Sequence, residues 1–415
     1  MFQPKLWRDG EFLKLWWGQA ISEVGSQVSF LALPTVAILI LGATPLQVGL
    51  LAAFENLAFP VLGLVAGVYV DRIRRRPIMI VCDIGRLLAL GSVPIAFAFH
   101  VLSIPQLYVV ALITGVGTVF FDVSYQSYLP AIISRSDLVE GNSKLQVTGS
   151  VAQMVGPALA GLLIQLLGAA RAVAVDAASF FVSVLSLWWI RRPEPPPQPA
   201  SDAGRRGFFS EMMEGIRFVL GNPTISRIAG STSTSNLGGN IFFAVYLIFV
   251  YRVLHLSPGL VGLVFAVGAV GGIVGALSAS WIARRLGLGP TLFVSILLGA
   301  LANILVPLAQ YGFAVPLLVV AFAITSFTNP VYNINQVSLR QAITPDRVQG
   351  RMNATVRTII WGTLPIGAVI GGLLGNAYGV MPAMYIGIAV GLLACLWILA
   401  GPIRLRVQPE PVGNV

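Results

Sequence analysis

The stretch Arg191-Arg192-Pro193-Glu194-Pro195-Pro196-Pro197 decides how this chain is read. It opens the one long polar segment, reaching to about Asn222, in a sequence of 415 residues of which 56% are hydrophobic and only 10% charged. Soluble chains carry about 25% charged residues. With a mean hydropathy of +0.84, this chain has more apolar surface than a core of its length can hide, so much of it must face lipid. Before the break lie apolar runs at about 14–41, 46–70, 77–99, 106–130, 143–167 and 171–190, and after it at about 224–251, 258–283, 290–310, 315–339, 352–378 and 382–402. Each is close to the roughly 20 residues that cross a bilayer as a helix. The expected fold is all-α and membrane-integral, with twelve transmembrane helices in two six-helix bundles, 1–190 and 223–403. A linker at 191–222 joins them and a cytoplasmic tail follows at 404–415.

The basic residues give a second, independent reading. If the amino terminus is cytoplasmic, 24 of the 26 Lys and Arg side chains fall on the inner face and only Arg171 and Arg252 on the outer, the bias that orients multi-spanning proteins. The net charge of +10 thus reflects topology and not a nucleic-acid partner. Both termini are expected in the cytoplasm and the chain in the cell's inner membrane. The first apolar run is longer than the core of a cleavable signal, so the first span is expected to remain in the mature protein. Cys82 and Cys395 sit far apart inside apolar runs and form neither a disulfide framework nor a metal cluster. In the linker, Phe208-Phe209, Met212-Met213, Ile216 and Val219-Leu220 recur at helical spacing among Glu211, Glu214 and Arg217. That pattern predicts an amphipathic helix on the inner membrane surface.

The two halves repeat. A shift of 213 residues sets Thr44-Pro45-Leu46-Gln47-Val48-Gly49-Leu50 against Ser257-Pro258-Gly259-Leu260-Val261-Gly262-Leu263, and Glu23-Val24-Gly25-Ser26 against Asn236-Leu237-Gly238-Gly239. With small gaps, Phe121-Asp122-Val123-Ser124-Tyr125 meets Thr328-Asn329-Pro330-Val331-Tyr332. Repeated six-span halves are what a transporter needs to rock about a site near the bilayer midplane. Most of the 44 glycines are read as packing residues that let helices approach closely in lipid.

Gly67-Val68-Tyr69-Val70-Asp71-Arg72-Ile73-Arg74-Arg75-Arg76, after the second span, resembles the loop signature of the major facilitator superfamily. Arg74 stands where that signature has its second glycine, and the second-half counterpart, Ser280-Trp281-Ile282-Ala283-Arg284-Arg285, lacks the acid. Gly149 and Gly156-Pro157-Ala158-Leu159-Ala160-Gly161 in the fifth span resemble the antiporter signature, with a partner at Gly362-Thr363-Leu364-Pro365-Ile366-Gly367. Leu129-Pro130-Ala131-Ile132, Gly350-Arg351-Met352-Asn353-Ala354 and Glu214-Gly215-Ile216-Arg217-Phe218-Val219-Leu220 are similar to the superfamily's bacterial branch containing the enterobactin exporter and macrolide-type efflux pumps. The resemblance covers nearly the whole chain. It implies the pseudo-twofold fold of that family and export of a small amphipathic molecule (drug, siderophore or metabolite) by proton antiport and alternating access. It also implies conformational roles for Gly67, Asp71, Arg72, Arg75, Arg86, Gly156, Pro157 and Gly161. Import by proton symport and a non-transporting receptor or scaffold are the alternatives.

Charges inside spans are costly and mark function or a partner. They are Glu23, Glu55, Asp122 and Asp176, with Asp83 and Arg86 three apart on one helix face. All the buried acids fall in the first half; Asn236, Gly268 and Asn329 occupy the positions of Glu23, Glu55 and Asp122 in the second. A carboxyl in low dielectric can exchange a proton near neutral pH as access alternates, so Glu23 and Asp122, followed by Glu55, are the expected proton carriers. Asp176, beside Arg171, is read as half of a structural ion pair. Substrate contacts are expected from Gln27, Tyr125, Asn236, Asn240, Phe243, Tyr246, Asn329, Tyr332, Asn333 and Trp361, aromatics with a few orienting polar groups; acids with aromatics suit a cationic or amphipathic ligand. His100 and His255 lack neighbouring acids or cysteines, and no Gly-Lys-Ser/Thr phosphate loop occurs. An enzyme, a bound metal, a cofactor and direct ATP drive are therefore not expected. The partners expected are a small-molecule substrate, protons and the lipid bilayer, with no nucleic acid and the protein acting as a monomer.

Overall fold

The computed structural model describes residues 5–194 and 204–400; in the linker helix, side chains are described from Met213 onward. Among these residues there is no strand, and twelve helices are long and apolar enough to cross a membrane. The first six spans are α1 (Gly10–Thr35), α2 (Pro45–Arg72), α3 (Arg75–Ala98), α4 (Ile104–Ile132), α5 (Leu138–Leu167) and α6 (Ala169–Trp189). The linker helix is α7 (Gly204–Gly221). Then come α8 (Pro223–Ile248), α9 (Pro258–Leu286), α10 (Leu288–Ala302) with its short continuation α11 (Leu305–Leu308), α12 (Ala314–Ala342), α13 (Asp346–Tyr378) and α14 (Val380–Leu399). Residues 195–203 of the linker and the tail at 404–415 lie outside the described residues.

Local chemistry sets several of these ends. Asp9 caps α1 by accepting from the backbone N–H of Glu11 and Phe12 at 3.0 and 3.3 Å. Asn222 does the same for α8 through Thr224 and Ile225, with Pro223 at the first helical position, where its missing N–H costs nothing. The repeat is visible in the backbone as well. α1 and α8 both end in a single π-helical turn, Val36–Ile40 and Phe249–Val253, which the 213-residue shift superposes.

The chain divides into two compact units. Unit 1 comprises Met1–Ala43, Phe54–Ala200 and Leu256–Ala266, and unit 2 comprises Thr44–Ala53, Ser201–His255 and Val267–Val415. These are not simply the two halves: the first turns of α2 belong with unit 2, and those of α9 with unit 1. Glycine explains the grouping. In unit 1 a Cβ on Gly161 of α5 would lie 2.6 Å from the Pro258 carbonyl and 2.8 Å from Gly262 Cα, and one on Gly262 of α9 would lie 2.6 Å from the Pro157 carbonyl. In unit 2 Gly49 of α2 meets Ala368 O and Gly372 of α13 at 2.4 and 2.9 Å in the same sense. Backbones touch at both crossings, the contact that small residues allow in lipid.

Unit 1 packs Phe12, Leu15, Met79, Phe121, Tyr128 and Leu187 into one core, and unit 2 has a smaller one around Ile228, Leu292, Leu339 and Cys395. Large apolar side chains such as Leu166 and Leu277, 70% and 82% exposed, cover the outside where lipid replaces water. The linker helix makes contacts with protein as well. Its carboxy-terminal part docks on protein: Val219 joins Met352, Val356 and Ile360, Gly215 sits against the Arg351 carbonyl, and Glu214 pairs with Arg351. Among its described side chains, Met213 and Leu220, 41% and 65% exposed, present an apolar outer face.

Candidate functional site

Unit 1 gathers its buried charge around one cation. Arg86 on α3 is 5% exposed, and its guanidinium lies between two rings, 4.6 Å from the centroid of Phe121 on α4 and 4.2 Å from that of Phe180 on α6. One turn earlier Asp83, fully buried, forms an ion pair with Arg86 Nη2, as the three-residue spacing implies. Thr118 accepts a longer bond from Nη1 at 3.5 Å. The arginine stem lies on Gly117, whose Cβ would stand 3.0 Å from Arg86 Cγ. Cation–π attraction to both rings holds the guanidinium where water would otherwise solvate it.

Four further acids lie in the spans of the same unit. Asp176 on α6 is 1% exposed and accepts from Ser179 Oγ at 3.1 Å, with its Oδ1 pressed toward Gly25 of α1. The pairing expected with Arg171 does not form. Five residues apart on a helix is about 140° around it, so Arg171 is exposed while Asp176 faces the core. The charge of Arg86 reaches both Asp176 and Glu23, and Glu23 also accepts from Gln19 Nε2 at 3.5 Å. Tyr125 stands within electrostatic reach of Glu23 and Asp122, and its hydroxyl is buried without a hydrogen-bond partner among the described residues. Glu55 is placed by a backbone crossing in which its carbonyl would lie 2.4 Å from a Cβ on Gly115 of α4; the charge of Asp176 reaches it. Five carboxyls and one guanidinium therefore share the interior of one unit.

Unit 2 holds the opposite chemistry. A cavity of about 240 Å³ opens among α8, α10, α12 and α14, lined by Asn236, Asn240, Asn329, Tyr332 and Asn333. No Asp, Glu, Lys or Arg lines it; Arg340, buried further along α12, is not on its wall. Sequence reading missed Ser235, Ser295, Asn303 and Thr325, which also line it. The signal was present in Asn303, a carboxamide in the middle of the apolar run at 290–310. Other expected substrate residues are placed elsewhere. Gln27 packs its stem across Gly156, and Tyr246 is a core ring, 4% exposed and stacked on Phe243 at 5.7 Å. Trp361 carries the Arg357 guanidinium 4.9 Å from its ring centroid.

Of the residues given conformational roles, Gly67 meets open space and Arg72 is exposed at the end of α2. The side chain of Asp71 lies outside the described residues. The amides of Arg75 and Arg76 donate to Glu194, and the Arg76 side chain donates to the carbonyls of Leu187 and Trp188 at 2.8 and 2.7 Å. Beside them Asp9 pairs with Arg192, and Glu11 accepts from the Arg191 amide at 2.7 Å. The start of the linker is thus tied to α1 and α3, a role for Glu194 that the sequence alone did not suggest.

Twelve apolar helices in repeated sixes, with the buried acids in one unit and a polar cavity in the other, define a multi-pass membrane transport protein. The chain belongs to the major facilitator superfamily, whose model matches residues 15–359 and, in a second overlapping match, 228–414. It is 28% identical over 388 residues to the enterobactin exporter EntS of Citrobacter koseri, covering 89% of this chain and 86% of that one. To the multidrug efflux pump Tap of Mycolicibacterium fortuitum it is 24% identical over 385 residues, covering 89% and 90%. Among solved structures, an inward-facing bacterial homologue of the iron transporter ferroportin superposes with a TM-score of 0.76 at 17% identity, over 94% of this chain and 98% of the other. A point mutant of the nucleoside transporter NupG gives 0.76 at 13% identity over 94% and 99%. At those identities the likeness is one of fold.

Proposed function

We propose that this transporter exports a small amphipathic molecule across the inner membrane by proton antiport, with alternating access between its two bundles. The observation that carries the reading is the division of chemistry: five carboxyls and Arg86 in the spans of unit 1, and an uncharged polar cavity in unit 2. A low-dielectric interior does not hold four uncompensated negative charges, so proton binding is the natural way to neutralise the cluster. Glu23 and Asp122, both within electrostatic reach of the Tyr125 hydroxyl, are the proposed carriers, with Glu55 as the third acid of the group. Exporters and efflux pumps among the relatives support the outward direction.

The test uses inverted and right-side-out membrane vesicles, with dyes and antibiotics as candidate substrates. Accumulation in inverted vesicles, driven by an inside-acid gradient and dissipated by a protonophore, is expected. Gradient-driven uptake by right-side-out vesicles instead would establish import. A complete absence of flux, with binding retained, would make the protein a receptor.

A further inference from the structure

Unit 2's cavity is held open by the packing beside it. On one face of α8, a Cβ on Gly238 would lie 2.4 Å from the Gly391 amide and 2.6 Å from the Gly387 carbonyl, so that face is pressed against α14 without room for a side chain. One residue on, Gly239 is exposed and a Cβ there would meet nothing within 4 Å. The space in front of it is the cavity, to which Ser235 and Asn236 contribute from the preceding turn. Asn303 lines it from just past the end of α10, and Asn329 comes from α12.

The hydrogen-bonding state of this wall is uneven. Asn240 Nδ2 donates to the Asn236 carbonyl at 2.9 Å, the Tyr332 hydroxyl shares a 2.7 Å bond with Thr232, and Asn333 Oδ1 accepts from Gln336. Those groups are structural. By contrast, no hydrogen bond among the described residues engages the carboxamides of Asn236, Asn303 or Asn329. Each offers a donor and an acceptor side by side. Phe242 adds an aromatic wall. At about 240 Å³ the space falls below the roughly 300–1,000 Å³ of sites that enclose a whole drug-sized ligand; it fits one ring of a larger molecule.

We propose that this cavity is the recognition subsite for an uncharged ring bearing adjacent hydroxyls, presented by the transported molecule. A carboxamide donates to one hydroxyl and accepts from its neighbour, which a vicinal diol matches and an ether cannot. A charged group has no counterion on this wall and would lose its hydration on entry. The role as a substrate site rests on the transport reading above, whereas the binding chemistry follows from the cavity alone. A sugar ring and a diphenol share that chemistry.

The test is ligand-observed saturation-transfer NMR on the full chain in lipid nanodiscs, without any gradient. The probes are methyl β-D-glucopyranoside, catechol and the dimethyl ether of catechol. At least one diol should receive saturation while the ether does not, and which diol does so identifies the ring type. Gly239→Leu, whose added side chain enters open space, should remove the signal, and Asn236→Leu with Asn329→Leu should weaken binding by about tenfold or more. No saturation of either diol, equal saturation of the ether, or signal unchanged in Gly239→Leu overturns the proposal. Because no transport is measured, a failure of proton antiport or of export leaves this result standing, and the reverse also holds.

Discussion

Glu194 caps a helix that begins 119 residues before it: its carboxylate accepts the backbone N–H of Arg75 at 2.7 Å and, through the other oxygen, that of Arg76 at 3.2 Å. The Arg75 guanidinium adds a contact at 3.7 Å, and the Glu194 side chain is 5% exposed. The amino-terminal turn of α3 has no cap of its own, since Arg74 makes no side-chain bond there. An anion at a helix amino terminus satisfies orphan amides and the positive end of the dipole together. Glu194→Ala is expected to destabilise the protein by about 1–2 kcal/mol, read as a lower unfolding temperature in detergent, and Glu194→Gln by less, because one acceptor oxygen remains.

The Asp83–Arg86 pair gives a sharper contrast. Arg86→Leu leaves Asp83 buried without its cation, and Asp83→Leu leaves the guanidinium without its anion. Each single change is expected to cost about 3–5 kcal/mol. The double change removes both charges, so it should be more stable than either single variant. A double-mutant cycle by thermal unfolding checks this; additive losses would mean the two residues are not coupled.

Proton coupling is tested on Glu23 and Asp122. Glu23→Gln and Asp122→Asn keep the shape and remove the titrating proton. Gradient-driven accumulation is expected to fall to the level of empty vesicles, while gradient-independent substrate exchange persists. If both variants accumulate substrate like the parent, neither residue carries the proton.

Gly262 and Gly239 make opposite predictions for the same substitution. Leucine at Gly262 would put its Cβ 2.6 Å from the Pro157 carbonyl and 2.8 Å from Gly161 Cα, whereas at Gly239 it meets nothing within 4 Å. Overpacking at Gly262 is expected to cost about 1–3 kcal/mol. Gly239→Leu should leave the unfolding temperature close to that of the parent. Thermal unfolding of the two variants side by side decides the matter.

At the linker, Glu214→Ala removes a partly exposed ion pair with Arg351 and should cost below about 1 kcal/mol. Gly215→Leu is expected to cost more, because its Cβ would stand 2.6 Å from Thr355 Oγ1 and 2.9 Å from the Arg351 carbonyl. Limited proteolysis of the linker should follow the same order.

Sequence by itself determined the twelve spans, the repeat and the confinement of the buried acids to the first half. These depend on hydropathy, on charge position and on residue type, all of which are local and need no knowledge of neighbours. The Asp83–Arg86 pair was legible for the same reason, since a three-residue spacing on a helix fixes which side chains share a face. Tertiary structure decided the rest. Asp176 exchanged its expected partner Arg171 for Ser179 because helix rotation separates residues five apart. Asn303 joined Asn236 and Asn329 in one cavity because α10 packs against α12 and α14. Glu194 became a cap for α3 only when a chain reversal brought it back across more than a hundred residues. The polar break that divides the sequence is therefore more than a tether: its first residues are built into unit 1 through hydrogen bonds that no local pattern encodes.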